Sequence, residues 1–326
     1  MKREINQIQY LEIIKEAFRI TWKNRYLWWF GLLASLTSTG STFSNLWPDS
    51  GTNNPDNQSA EKFFQFLHNN LGFIVMVAVV ILIIFIALAV LGILGRGALI
   101  KAIARNLKGE VTGFKSGLRE SKKYFWRILA IDLLILFSFI LVLVVLAIPV
   151  IFLFANKNIL AGLLLTMMAI AIMIPIILLV VFLRMYGYLY VVLGELGFWH
   201  SLENAYLLLK NNLASSLVLF LLFVPLGFVM LAVIMAIFIP LVIIFLIIGV
   251  IAYLVAQSAG AAIVALLGIL FFIVIIFFIK AVYETFAQTV WILFFREIAS
   301  PKVTEKVAEK VTEPKSIVEP DVASGI

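Results

Sequence analysis

The chain has no cysteine. Disulfides, thiolate nucleophiles and cysteine metal sites are excluded, and the redox compartment leaves no mark on the sequence. Only two histidines are present, His68 and His200. They lie far apart in loop-like sequence, too few for a histidine metal centre. Charge is scarce as well. Of 326 residues, 13% are charged and 63% are hydrophobic, whereas a soluble domain is about a quarter charged and half apolar. No Asp, Glu, Lys or Arg occurs between Lys62 and Arg96, or between Lys210 and Lys280. Each gap exceeds the roughly 20 apolar residues needed to cross ~30 Å of hydrocarbon. Mean hydropathy is +1.10. The sequence therefore reads as an all-α, polytopic transmembrane bundle.

Recognisable catalytic chemistry is missing too. There is no HExxH, no Walker loop and no glycine-rich dinucleotide turn. A serine nucleophile needs a base, and neither histidine lies in an apolar run. An intramembrane aspartyl dyad needs two carboxylates sharing a proton, and Asp132 has no second Asp. The expectation is a protein that is not an enzyme and takes no cofactor or metal.

The apolar runs place six spans at roughly 26–44, 71–95, 126–154, 159–183, 214–248 and 259–280. The first turns polar halfway along LWWFGLLASLTSTGSTF. The fifth is interrupted by Pro225, Pro240 and Gly249. A kinked helix is one reading of it, since Pro removes a backbone donor, and a re-entrant segment or an additional span is the other.

Basic residues orient spans by preferring the cytosol. Lys2, Arg3, Lys15, Arg19, Lys23 and Arg25 precede the first span, nine Lys and Arg from Arg96 to Arg127 lie between the second and third, and Arg296, Lys302, Lys306, Lys310 and Lys315 follow the last. The segments assigned outside hold only Lys62 and Lys157. An even number of spans, with both termini cytosolic in the cell membrane, follows. This distribution, rather than nucleic acid, accounts for the net charge of +7. The loop at 45–62 is rich in Asn, Gly, Pro and Asp and reads as irregular. The tail, 299–326, is charged, free of aromatics and expected to be disordered.

The chain states one pattern three times, over units of about 8–108, 109–194 and 195–298. Each opens amphipathically, with YLEIIKEAFRITWKNRYLWWFGLL, GFKSGLRESKKYFWRILAIDLLIL and GFWHSLENAYLLLKNNLASSLVLF. Ile14, Leu118 and Leu202 align, as do Ala17, Ser121 and Ala205. A basic residue closes the second span of each unit: Arg96, Arg184 and Lys280. The alternative is chance likeness among apolar residues. In the first unit Leu11, Ile14 and Phe18 share one helical face, opposite Glu12, Lys15, Glu16 and Arg19, the pattern of a helix lying in the headgroup boundary. Trp22, Trp28, Trp29, Tyr124 and Trp126 fall where an aromatic belt belongs.

These opening segments, with WKNRYLWWFGLL and YETFAQTVWILFFRE, give the chain its resemblance to bacterial six-span membrane families of mostly unknown function. Among these is the membrane domain that precedes some glycerophosphodiester phosphodiesterases. The resemblance covers about residues 8–298 and implies a six-helix membrane module. It does not import the phosphodiesterase, whose barrel would need about 250 further residues.

An ionisable group at membrane depth costs about 2.5–3.5 kcal/mol on insertion scales and is a functional candidate by default. The candidates are Arg96, Asp132, Arg184, Lys280 and Glu284. On a structural reading the cations snorkel from span ends, Asp132 pairs with one of them, and Lys280 can meet Glu284 four residues on. On a functional reading the cations ring a pocket for an anionic lipid headgroup or other anion. Two roles remain open: a non-catalytic scaffold that interacts with membrane lipids or a protein partner, and a secondary transporter or permease component for a small or anionic solute. The repeat and the prolines suit transport, whereas the almost purely aliphatic and aromatic fifth and sixth spans suit a scaffold.

Overall fold

The charge-free runs become long helices. Residues 9–38 and 70–299 are described by the structure, a computed structural model, and they form seven α-helices with no strand among them. The irregular loop at 45–62, His68 and all of the tail beyond 299 lie outside the described residues. The helices are α1 (Tyr10–Lys23), α2 (Leu27–Ser38), α3 (Leu71–Asn106), α4 (Phe114–Ala155), α5 (Ile159–Val192), α6 (Phe198–Asn211) and α7 (Leu213–Ile298). His200, expected in a loop, stands on α6.

Asparagine sets two of the helix breaks. Asn24 ends α1 and Asn212 separates α6 from α7, and each donates its side-chain amide to the carbonyl four residues back, Ile20 and Leu208. An amide that can substitute for the backbone favours leaving the helix over extending it. Asn24 also meets Asn106 across α3 at 3.1 Å, and the Trp28 indole caps the Thr21 carbonyl at 2.9 Å. Where β-branched Ile128 stands inside α4 no such substitute exists, and the helix runs unbroken through 42 residues.

The prolines do not break the helices. Pro149, Pro175, Pro225 and Pro240 all lie inside continuous helix. The reversal in α7 comes instead at Ala256 and Gln257, whose backbones leave helical geometry, Gln257 at φ 53°. There α7 folds back on itself, so that Gly260 approaches the Ala252 carbonyl and the Phe245 ring lies 5.6 Å from Phe271. The arm at 213–255 is thus one helix, without a re-entrant turn. A turn exposes backbone groups, and Gln257, Ser258 and Gly260 are the polar and small residues able to serve them. A mid-helix proline surrounded by aliphatic residues offers no such relief.

Burial is concentrated at one end of the molecule, here called the base. It draws on α1 and α2, the last third of α3 from Ile93 to Ile103, the first half of α4, the end of α5 from Phe182 to Val192, α6 and both ends of α7. In α4 the buried residues are Gly117, Ser121, Tyr124, Ile128, Ile131 and Ile135, an alternating four–three spacing that keeps one stripe against neighbouring helices. Aromatic rings fill the middle of the base. Trp291 packs edge-on to Phe182 and Tyr186 and stacks on Phe223, contacts of about 0.5–1.5 kcal/mol each beyond their area. Close approach relies on absent side chains: a Cβ on Gly31 of α2 would overlap the Ala281 carbonyl and Thr285 Oγ1 of α7.

Away from the base few residues are buried, although the two arms of α7 stay in contact through Phe238 with Phe272 and Phe245 with Phe271. In the most apolar 18-residue stretches of α4 and α5, 0% of residues are buried, and the corresponding shares for α3 and α7 are 11% and 6%.

Candidate functional site

Four helices bring charge to one place inside the base. Arg184 of α5 sets its Nε 2.8 Å from Asp132 Oδ1 of α4. Tyr188, one turn further along α5, donates its hydroxyl to the same carboxylate oxygen and accepts from Arg184 Nε. Arg96 of α3 donates to that hydroxyl at 3.3 Å, and its other terminal nitrogen lies 3.9 Å from Glu284 of α7. Both guanidinium carbons also lie over the Tyr188 ring, at 5.2 Å for Arg96 and 5.6 Å for Arg184, within cation–π range. Two carboxylates thus answer two guanidiniums around one phenol.

Asp132, Arg184, Arg96 and Glu284, four of the five residues singled out from the sequence, meet in this network, and Lys280 lies one helical turn before Glu284. Arg96 does not snorkel. It is 5% exposed, and its Nε has no hydrogen-bond partner among the described residues. Arg184 keeps more contact with the surroundings, its side chain being 38% exposed. From each of these charged residues to the far end of its helix or arm is roughly 25 residues, or 35–40 Å at 1.5 Å per residue. The network therefore stands about one hydrocarbon thickness from the outer turns.

Tyr188, the hub, had no sequence signal of its own beyond lying four residues after Arg184 in RMYGYLYVV. A second cluster was missed entirely. In the loop between α5 and α6, Glu195 accepts from Tyr124 Oη at 2.7 Å, Lys123 Nζ at 3.0 Å and Lys101 Nζ at 3.4 Å. Arg127 donates to the backbone carbonyls of Glu195 and Leu196 at 3.0 and 3.3 Å. The Tyr124 hydrogen bond foremost, then the two lysines, hold the Glu195 carboxyl well below its ordinary range, at about 2, against the opposing effect of burial. Beside this cluster Arg105 pairs with Glu120 at 2.6 Å. The only advance sign was that Glu195 is the sole carboxylate between Asp132 and Glu203.

The amphipathic helix α1 presents two different faces. Ala17, Ile20 and Thr21 are buried against the bundle, while Leu11, Phe18 and Trp22 are exposed. Trp126 and Trp199, on α4 and α6, are exposed at the base as well.

Among the described residues, four helices are long and apolar enough to cross a membrane, the last folded back on itself, and they define an integral membrane protein. Compared with protein-family models, curated proteins and solved structures, the chain matches none.

Proposed function

We propose that the chain is a non-catalytic, lipid-interacting membrane scaffold of six spans, with its base and both termini in the cytosol. One observation carries the reading. The long helices bury most of their contacts at the base, and beyond it, even where the two arms of α7 touch, α3, α4, α5 and both arms keep walls of apolar residues exposed along their length. In a bilayer, apolar surface of this kind is covered by lipid or by another apolar protein. Transport would call for polar groups spread along a path between the arms. The opposite charges found here are instead bound to one another at a single level, which supports the scaffold over the permease.

The six-span count combines α2, α3, α4, α5 and the two arms of α7. The threefold repeat draws support from helix starts: α1, α4 and α6 begin at Tyr10, Phe114 and Phe198, the same offsets that align Ala17, Ser121 and Ala205. Those three small residues are all buried, as expected of equivalent packing positions. The resemblance to six-span membrane families fits the same architecture.

A photoreactive amino acid at Ile148 on α4 or Ile269 on α7, both exposed, tests the reading in native membranes. Labelling of lipid or of a partner protein is expected. Crosslinks that only join one arm to another within the chain would close the walls and refute it.

A further inference from the structure

We propose that Lys101, Lys123, Tyr124 and Arg127 form a binding site for a phosphomonoester, and that Glu195 occupies it as an internal substitute. The inference deepens the lipid-interacting reading above and rests on it.

The cluster is built from three separate parts of the chain. Lys101 comes from α3, Lys123, Tyr124 and Arg127 come from α4, and Glu195 from the loop after α5. Two ammoniums meet the one carboxylate and Arg127 binds the loop carbonyls beside it, which leaves about two positive charges of the cluster unanswered. The nearby Glu120 does not answer them, because Arg105 holds it at 2.6 Å. A phosphomonoester carries about −1.5 to −2 charge at neutral pH and three acceptor oxygens. The side-chain donors supplied are also three: Lys101 Nζ, Lys123 Nζ and Tyr124 Oη, at 3.4, 3.0 and 2.7 Å from the carboxylate oxygens. A phosphodiester, with one charge, matches the excess less well.

Glu195 is suited to being displaced. Its side chain is 48% exposed, so the carboxylate has an open route outward. Its backbone sits at φ +51°, the left-handed region, which costs a non-glycine residue roughly 1–2 kcal/mol. The residue is held by the cluster rather than by its own preference. Arg127 secures the Glu195 and Leu196 carbonyls, which fixes the loop while leaving the carboxylate free to swing.

Position indicates where the phosphate comes from. Trp126 immediately precedes Arg127, Trp199 follows the Glu195 loop on α6, and both are exposed. Tryptophans at such a level mark the headgroup layer, where the phosphate of an anionic lipid would lie beside the lysines.

Native mass spectrometry of the full chain, with short-chain phosphatidic acid, phosphatidylglycerol and inorganic phosphate as probes, decides the matter. Wild type is expected to retain phosphatidic acid about tenfold over phosphatidylglycerol. Glu195→Gln, which withdraws the competing charge, should raise phosphatidic acid occupancy several-fold, and Lys101→Gln with Lys123→Gln should lower it by about tenfold. Competition by inorganic phosphate would identify a soluble phosphomonoester as the occupant, whereas its absence assigns the site to the lipid. Equal retention of the two lipids, or unchanged occupancy in Glu195→Gln, overturns the proposal. In that event lipid labelling at Ile148 and Ile269 would still stand, so failure of this site is distinguishable from failure of the scaffold reading. Should the double lysine variant not fold, Glu195→Gln alone still decides, since it removes no donor.

Discussion

Tyr188 donates its hydroxyl to the Asp132 oxygen that Arg184 also holds. One phenol therefore ties a carboxylate on α4 to cations on α5 and α3. Tyr188→Phe keeps the ring but removes the oxygen, leaving Asp132 one donor short and the Arg96 contact without an acceptor. A loss of about 1–3 kcal/mol is expected, the cost of unsatisfied buried groups. Asp132→Asn should cost a comparable amount, and the double variant less than the two together, because both act on one network. Thermal unfolding in lipid nanodiscs reads all three. Strict additivity would show that the network is not a unit.

Acid should act on the junction of α5 and α6. The Glu195 carboxyl is depressed from 4.5 to about 2 by Tyr124, Lys123 and Lys101. A depressed carboxylate contributes stability above its unfolded pKa and loses it as pH falls through the folded value. Local stability should be level above about pH 5 and decline between about pH 4.5 and 2. Emission from Trp199, four residues from Glu195, follows it in a variant that retains Trp199 as its only tryptophan. Glu195→Gln in the same background should flatten the profile, and an unchanged acid limb would assign the effect to other groups.

Gly31 and Gly227 offer a contrast in one chain. A Cβ at Gly31 would meet the Ala281 carbonyl and Thr285, whereas at Gly227 nothing lies within 4 Å. Gly31→Val should push α2 from α7 and cost about 1–3 kcal/mol or more through overpacking. Gly227→Val should be close to neutral. Because the chain has no cysteine, a single introduced pair, one on α2 and one on α7, reports the separation by crosslinking yield. Equal behaviour of the two variants would contradict the packing.

Topology is checked by reporter fusions. With six spans and a cytosolic base, fusions after Ser50, Lys108, Asn158, Asn204 and Ser300 should read outside, inside, outside, inside and inside. An outside signal at Ser300 would require an odd number of crossings.

Charge within apolar sequence was the most legible feature of the candidate site. Asp132 and Arg184 stand out in spans that hold almost nothing else ionisable, and solvation cost alone makes a partner for each an expectation. Tyr188 was not legible, because a tyrosine among RMYGYLYVV reads equally well as core. Glu195 was hidden for a different reason. Its three side-chain donors come from residues 71 to 94 positions away, and no local pattern announces a contact of that range. The breaks in the chain were misleading in a third way. Prolines suggested interruption of the fifth span, yet the helix passes through them and reverses at Gln257, where polar and small residues can serve exposed backbone.

What the sequence determined by itself was the class of molecule and its helical segments. Long runs without charge cannot stay in water, and in an apolar medium the backbone must satisfy its own hydrogen bonds, which a helix does locally. Periodicity likewise set α1 and α6 as amphipathic. Only the tertiary structure decided which face of α1 turns inward, that packing gathers at one end of the bundle, and that Arg96 pairs with Glu284 while Arg184 pairs with Asp132. In lipid no hydrophobic force draws one apolar helix to another. Partner choice there rests on close approach at small residues such as Gly31 and on the few polar groups able to reach one another, and both depend on geometry that linear spacing does not carry.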